Sequence, residues 1–146
     1  MFSASFLKYM GDGLLAIFTI AADRANEHTV CAAALAAARE ARSAVAAESA
    51  AAEDRFGLQF GLALYIGEVL YGNVGSENRL DFTCIGPAVN LAVRIEKLTG
   101  ELGVAILASD AFAQHFPADL APVGNFNLRG FEMSRAIFGL KDEAKH

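Results

Sequence analysis

Cysteine is scarce in this chain, and the two residues present, Cys31 and Cys84, stand far apart. Neither falls in a CxxC or Cys/His spacing, so a thiolate zinc site is excluded. A chain of 146 residues is large enough to bury a core without disulfides or a structural metal. A reduced, cytoplasmic setting is therefore expected. Basic clusters are missing as well. Twelve Lys and Arg against seventeen Asp and Glu leave a net charge of −5, and no run of cations offsets repulsion from a phosphate backbone, so nucleic acid is not an expected partner. Long apolar runs are also absent. The longest, Val30 to Ala38, is about half of what a bilayer requires, and no membrane segment is expected. The opening Met1-Phe2-Ser3-Ala4-Ser5 lacks the basic start and apolar stretch of a signal peptide. Against these absences, 54% of residues are apolar and the mean hydropathy is +0.33. Much of the excess is alanine in one segment and the rest lies in strand-like runs, which points to a buried sheet or a subunit interface and hence to a dimer.

Phe6 to Tyr9 and Leu14 to Phe18 flank Met10-Gly11-Asp12-Gly13, and Asp-Gly between apolar runs predicts a hairpin. From Ala22 to about Asp54 the chain is rich in Ala, Glu and Arg with no Gly or Pro, which favours one long helix with Val30, Ala34, Leu35, Ala38 and Val45 on its apolar stripe. Phe56 to Ile66 reads as a strand, followed by the tip and return at Gly67 to Gly72. Arg79 to Ile85 reads as another strand, closed by Gly86-Pro87, where proline suits the first turn of a helix. That helix is expected over Ala88 to Leu98, stopping at Gly100. A short strand over Val104 to Leu107, a helix capped by Ser109 and ended by Pro117, and strands at Val123 to Arg129 and Arg135 to Leu140 complete the reading. With no linker or repeat, residues 1–146 are expected to form a single α+β domain, with helices on one face of a mainly antiparallel sheet.

Polar residues concentrate in three places. Lys8 stands on the first strand and Asp12 at the tip of its hairpin. Gly67-Glu68-Val69-Leu70-Tyr71-Gly72-Asn73-Val74-Gly75-Ser76 is glycine-rich, yet no GK[ST] closes it as in a P-loop, and it does not match the dinucleotide fingerprint. In the third, strand periodicity places Asp81 and Thr83 on one face, and Asn90 and Arg94, four residues apart, share one side of the following helix. Cys84 falls on the opposite strand face, as a core thiol would.

Taken in order, the K-x-x-G-D-G hairpin, the G-E-V-L-Y-G-N-V-G-S arm and the D-F-T-C-I-G-P-A-V-N-x-x-x-R junction resemble the signature of class III adenylate and guanylate cyclases. Leu128-Arg129-Gly130-Phe131 also resembles that family's late L-K-G-F segment. The resemblance implies a ferredoxin-like core, head-to-tail pairing of two domains, and a nucleotide held between them. It assigns Asp12 to the metal and Lys8 with Thr83 to the adenine edge, with Asp81 a second candidate for base contact. Guanine-selective members place Glu and Cys at the two base-reading positions, so ATP is the implied substrate. Asn90 corresponds to the residue that orients the ribose, Arg94 to the one that stabilises charge on the phosphate under attack, and Arg129 to a phosphate-binding lysine. The implied activity is that of a phosphorus–oxygen lyase, making cyclic AMP and pyrophosphate with two Mg²⁺ or Mn²⁺ ions.

Family members also carry, ahead of the hairpin, a strand with an F-x-D-I-x-G-F-T-like motif and a helix, and the resemblance implies that this sequence lacks both. The first metal aspartate and the triphosphate-cradling loop belong to that unit. Each 1.36 kcal/mol lost at a transition state is tenfold in rate, and a missing metal ligand removes several orders of magnitude. The alternative expectation is accordingly a catalytically inactive module of the same fold that binds nucleotide or only dimerises.

Overall fold

The computed structural model describes residues 6–10, 13–21, 23–51, 61–67, 70–74, 81–85, 87–127 and 134–142; for 6–10, 48–51, 70–74, 81–85 and 87 it describes the backbone alone. The chain divides into two compact units, Met1–Glu40 and Ala41–His146.

In the first unit, β1 (Phe6–Met10) and β2 (Gly13–Ile17) form the expected antiparallel hairpin, with Lys8 opposite Leu15 and Met10 opposite Gly13. The long helix α1 spans Glu27–Ala51 and starts five residues later than composition suggests. The delay has a local cause. The Asp23 carboxylate accepts a hydrogen bond from the Ala25 N–H, the Asn26 side chain accepts one from the Ala21 N–H, and Arg24 takes a left-handed conformation with φ 61°. Short polar side chains that bond nearby backbone compete with helix, so residues 23, 25 and 26 form turns instead. Among the described side chains of α1, Val30, Cys31, Leu35 and Ala38 are buried and follow helical spacing.

Cys31 is 3% exposed, and burial, reinforced by the Glu27 carboxylate and opposed by Arg24, pushes its thiol up to about 11. Because the folded value lies above the unfolded one, the native state keeps its proton while the unfolded state loses it. Stability should therefore hold below pH 9 and fall between about pH 9 and 11, by up to about 2–3 kcal/mol. At pH 8 alkylation of Cys31, followed residue by residue by mass spectrometry, should run roughly a hundredfold slower in the native protein than in urea, in proportion to thiolate.

The second unit is organised by a four-stranded sheet in the order β3-β6-β8-β7, formed by β3 (Leu62–Leu64), β6 (Ile106–Ser109), β7 (Leu120–Phe126) and β8 (Arg135–Leu140). β3 pairs parallel with β6, and the other two pairings are antiparallel. All four residues of β6 are buried, as suits a strand with neighbours on both sides. At the edge, β7 has a register shift between Pro122 and Gly124, where a proline that cannot donate to the ladder is tolerated. A separate antiparallel pair joins β4 (Leu70–Val74) to β5 (Asp81–Ile85).

Helix α2 spans Pro87–Leu102 and packs on β3 and β6. Its Leu91 and Ile95 meet Leu107 and Ile137 in the core, with Ala63, Tyr65, Leu98 and Leu102 packed around them. The helix passes through Gly100, where an end was expected, and stops at Gly103. There φ is 69°, and the Val104 N–H donates back to the Thr99 carbonyl. Gly100 costs helix propensity but leaves the ladder intact, whereas the left-handed turn at Gly103 ends it. Ser109 caps the short α3 (Asp110–Ala113) by accepting from the Phe112 N–H, and the segment expected to stay helical to Phe116 continues in turns. Among the described residues no helix is long and apolar enough to cross a membrane. The architecture is α+β, as expected.

Candidate functional site

The polar residues singled out above fall unevenly across the two units. Lys8 is in the first, on β1. Asp12 and Arg129 lie outside the described residues, as does Gly86. The second unit holds Asp81 and Thr83 on β5 and Asn90 and Arg94 on α2.

β5 carries the first pair. Asp81 and Thr83 occupy alternate positions on it, opposite Val74 and Gly72 of β4, and Cys84 is opposite Tyr71. The Gly-rich arm is thus in part a regular strand whose glycine backs Thr83. α2 follows in sequence, with Pro87 at its first position, where the missing N–H leaves no hydrogen bond unmade. Ala88, Val89, Leu91, Ile95 and Thr99 are buried, which orients the helix. Asn90 is left exposed and Arg94 half-buried, one helical turn apart. Val93, 36% exposed, lies one turn on from Asn90 on the outer side.

Arg94 has no hydrogen-bond or ion-pair partner among the described residues. Two groups that can each meet a sugar or phosphate oxygen are therefore carried side by side on a helix whose opposite face is locked into the core. A recess of only about 10 Å³, mostly apolar, is lined by Tyr65, Ile95, Ser109, Asp110, Arg135 and Ile137 and by none of the polar residues singled out above. It is far below the roughly 300–1,000 Å³ of ordinary small-molecule sites. Among the described residues no three His, Cys, Asp or Glu side chains gather where they could hold a metal ion.

No protein-family model matches the chain. Over 140 residues, 94% of its length, it is 34% identical to an adenylate cyclase of Anabaena cylindrica. Over 136 residues it is 31% identical to adenylate cyclase 1 of Rhizobium meliloti. The crystal structure of the adenylyl cyclase CyaB from P. aeruginosa superposes on 94% of this chain and 71% of that one with a TM-score of 0.63, at 21% identity.

These matches support a cyclase-type catalytic domain. This cyclase domain spans 26% and 20% of the length of the Anabaena and Rhizobium proteins, so it matches one region of much longer relatives. Two parts of the cyclase domain's geometry escape a reading of motifs. Gly67 approaches Ala88, and Gly61 approaches Thr99, more closely than any residue with a Cβ could. Thr99 is itself a buried polar residue whose hydroxyl donates to the Glu96 carbonyl. The one local hint was the glycine at the start of the Gly-rich arm. Its partner lies twenty-one residues away and carries no polar group.

Proposed function

We propose that the chain is the catalytic part of an adenylate cyclase, converting ATP to cyclic AMP and pyrophosphate in a cleft between two copies paired head to tail. The observation that carries this reading is the placement of Asn90 and Arg94. They stand one turn apart on the side of α2 away from its buried residues, on the helix that follows the strand bearing Thr83. Cyclisation drives the ribose 3′-oxygen in line at the α-phosphorus and expels pyrophosphate, so a donor must hold the sugar and a cation must meet charge building on the phosphate. An amide suits the first task and a guanidinium fork the second.

In this reading Asn90 orients the ribose and Arg94 stabilises the phosphate in the transition state. Lys8 and Thr83 read the adenine edge, with Asp81 beside Thr83 and Arg129 on the phosphates. Divalent ions, Mg²⁺ or Mn²⁺, would neutralise the triphosphate when bound, and Asp12 is the residue proposed to hold them. The exposed Val93 adjoins the proposed site, which supports a cleft completed by a second copy. The two compact units would serve as one domain, in the cytoplasm.

The test combines calorimetry and product analysis on the whole chain with manganese ATP. Saturable binding together with cyclic AMP and pyrophosphate in equal amounts is expected. Binding without product would establish the alternative, a nucleotide-binding module without turnover. Absence of both, at concentrations where the chain is dimeric, would end the nucleotide reading.

A further inference from the structure

Two glycines hold α2 against β3. A Cβ on Gly67 would lie 2.7 Å from the Cβ of Ala88 and 2.8 Å from Cε1 of Tyr65, well inside the 3.5–4.0 Å optimum for carbon atoms. At the other end of the helix, a Cβ on Gly61 would collide with Oγ1 of Thr99 and lie 3.2 Å from its Cβ. The glycines are six residues apart and flank β3, and their helix partners are eleven apart, about 16 Å. The helix therefore runs antiparallel to β3 and touches it closely at both ends.

The two contacts are not equivalent. Ala88 is in the first turn of α2, is 7% exposed, and has no rotamer by which its methyl could retreat. Asn90 follows two residues later and Arg94 six, so whatever displaces Ala88 carries the functional face with it. Gly61 presses on the far end, beyond both. We infer that Gly67 is a positioning residue for the nucleotide site: its missing side chain seats the first turn of α2 and thereby sets where Asn90 and Arg94 stand. A shift of about 1 Å in such groups is enough to change function a hundredfold. This inference rests on the nucleotide reading above for its functional consequence, though not for the seat itself.

The experiment compares the full-length wild type with Gly67→Ala, Gly61→Ala, Ala88→Gly and the double variant Gly67→Ala/Ala88→Gly. Binding of manganese ATP should weaken at least tenfold in Gly67→Ala and return to within threefold of wild type in the double variant, where the opposing methyl is gone. Gly61→Ala should lower the thermal midpoint yet bind within threefold of wild type. Equal loss of binding in both glycine variants at matched stability would reduce Gly67 to a structural role and overturn the inference. The backbone amide resonances of residues 90–94 provide a readout that needs no nucleotide. They should move in Gly67→Ala and return in the double variant. If wild type fails to bind ATP, the functional reading has failed while these resonances still decide the seat; unmoved resonances, or a double variant that does not restore them, overturn it. Should Gly67→Ala not fold, a folded double variant with wild-type resonances supports the inference and an unfolded one refutes it.

Discussion

Truncating Ile95 to alanine should lower the free energy of unfolding by about 2–5 kcal/mol, a large share of the roughly 5–15 kcal/mol that holds a domain together. Ile95 is 1% exposed and lies in the cluster where α2 meets the sheet, against Leu91, Leu107 and Ile137. Removing its branched side chain forfeits the transfer term and leaves a cavity that two strands and a helix cannot close together. Urea denaturation followed by circular dichroism would show a lower midpoint with an unchanged slope. Val93→Ala, two residues away on the exposed side, should stay within about 0.5 kcal/mol of wild type. Similar losses in both would mean that the helix is not oriented as described.

Replacing Arg94 by alanine should lower the rate of cyclic AMP formation by about 10²–10³-fold while affinity for manganese ATP changes by less than about tenfold. The asymmetry follows from the proposed role, since charge on the phosphate oxygens rises on the way to the transition state and a group that answers it contributes little before. Arg94→Lys keeps the charge and loses the planar fork, and is expected to recover only part of the rate. Turnover measured at saturating nucleotide, beside calorimetric affinities, separates the two effects. A variant that loses affinity as much as rate would move Arg94 from the transition state to ground-state binding.

How far the site was legible depended on the distance over which its parts communicate. Asn90 and Arg94 could be paired from spacing, because a helical turn is a local period. Thr83 and Asp81 followed from strand alternation in the same way. Arg94 was visible as a candidate, but its freedom from partners among the described residues emerged only with coordinates. Element boundaries drifted where side chains competed for backbone. Asp23 and Asn26 delayed α1, and Gly100 looked like a stop although the next three residues held the actual one.

By itself the sequence determined the element types, the hairpin, the α+β class and the order of motifs that resembles the nucleotidyl cyclase signature, because each is encoded in residues near one another along the chain. Tertiary structure alone decided the strand order β3-β6-β8-β7 and the seating of α2 on Gly61 and Gly67. Those features arise from contacts between segments remote in sequence, where volume rather than periodicity selects the partner. A glycine reads alike whether it serves a turn or makes room for a helix, and only the approach of Ala88 tells the two apart.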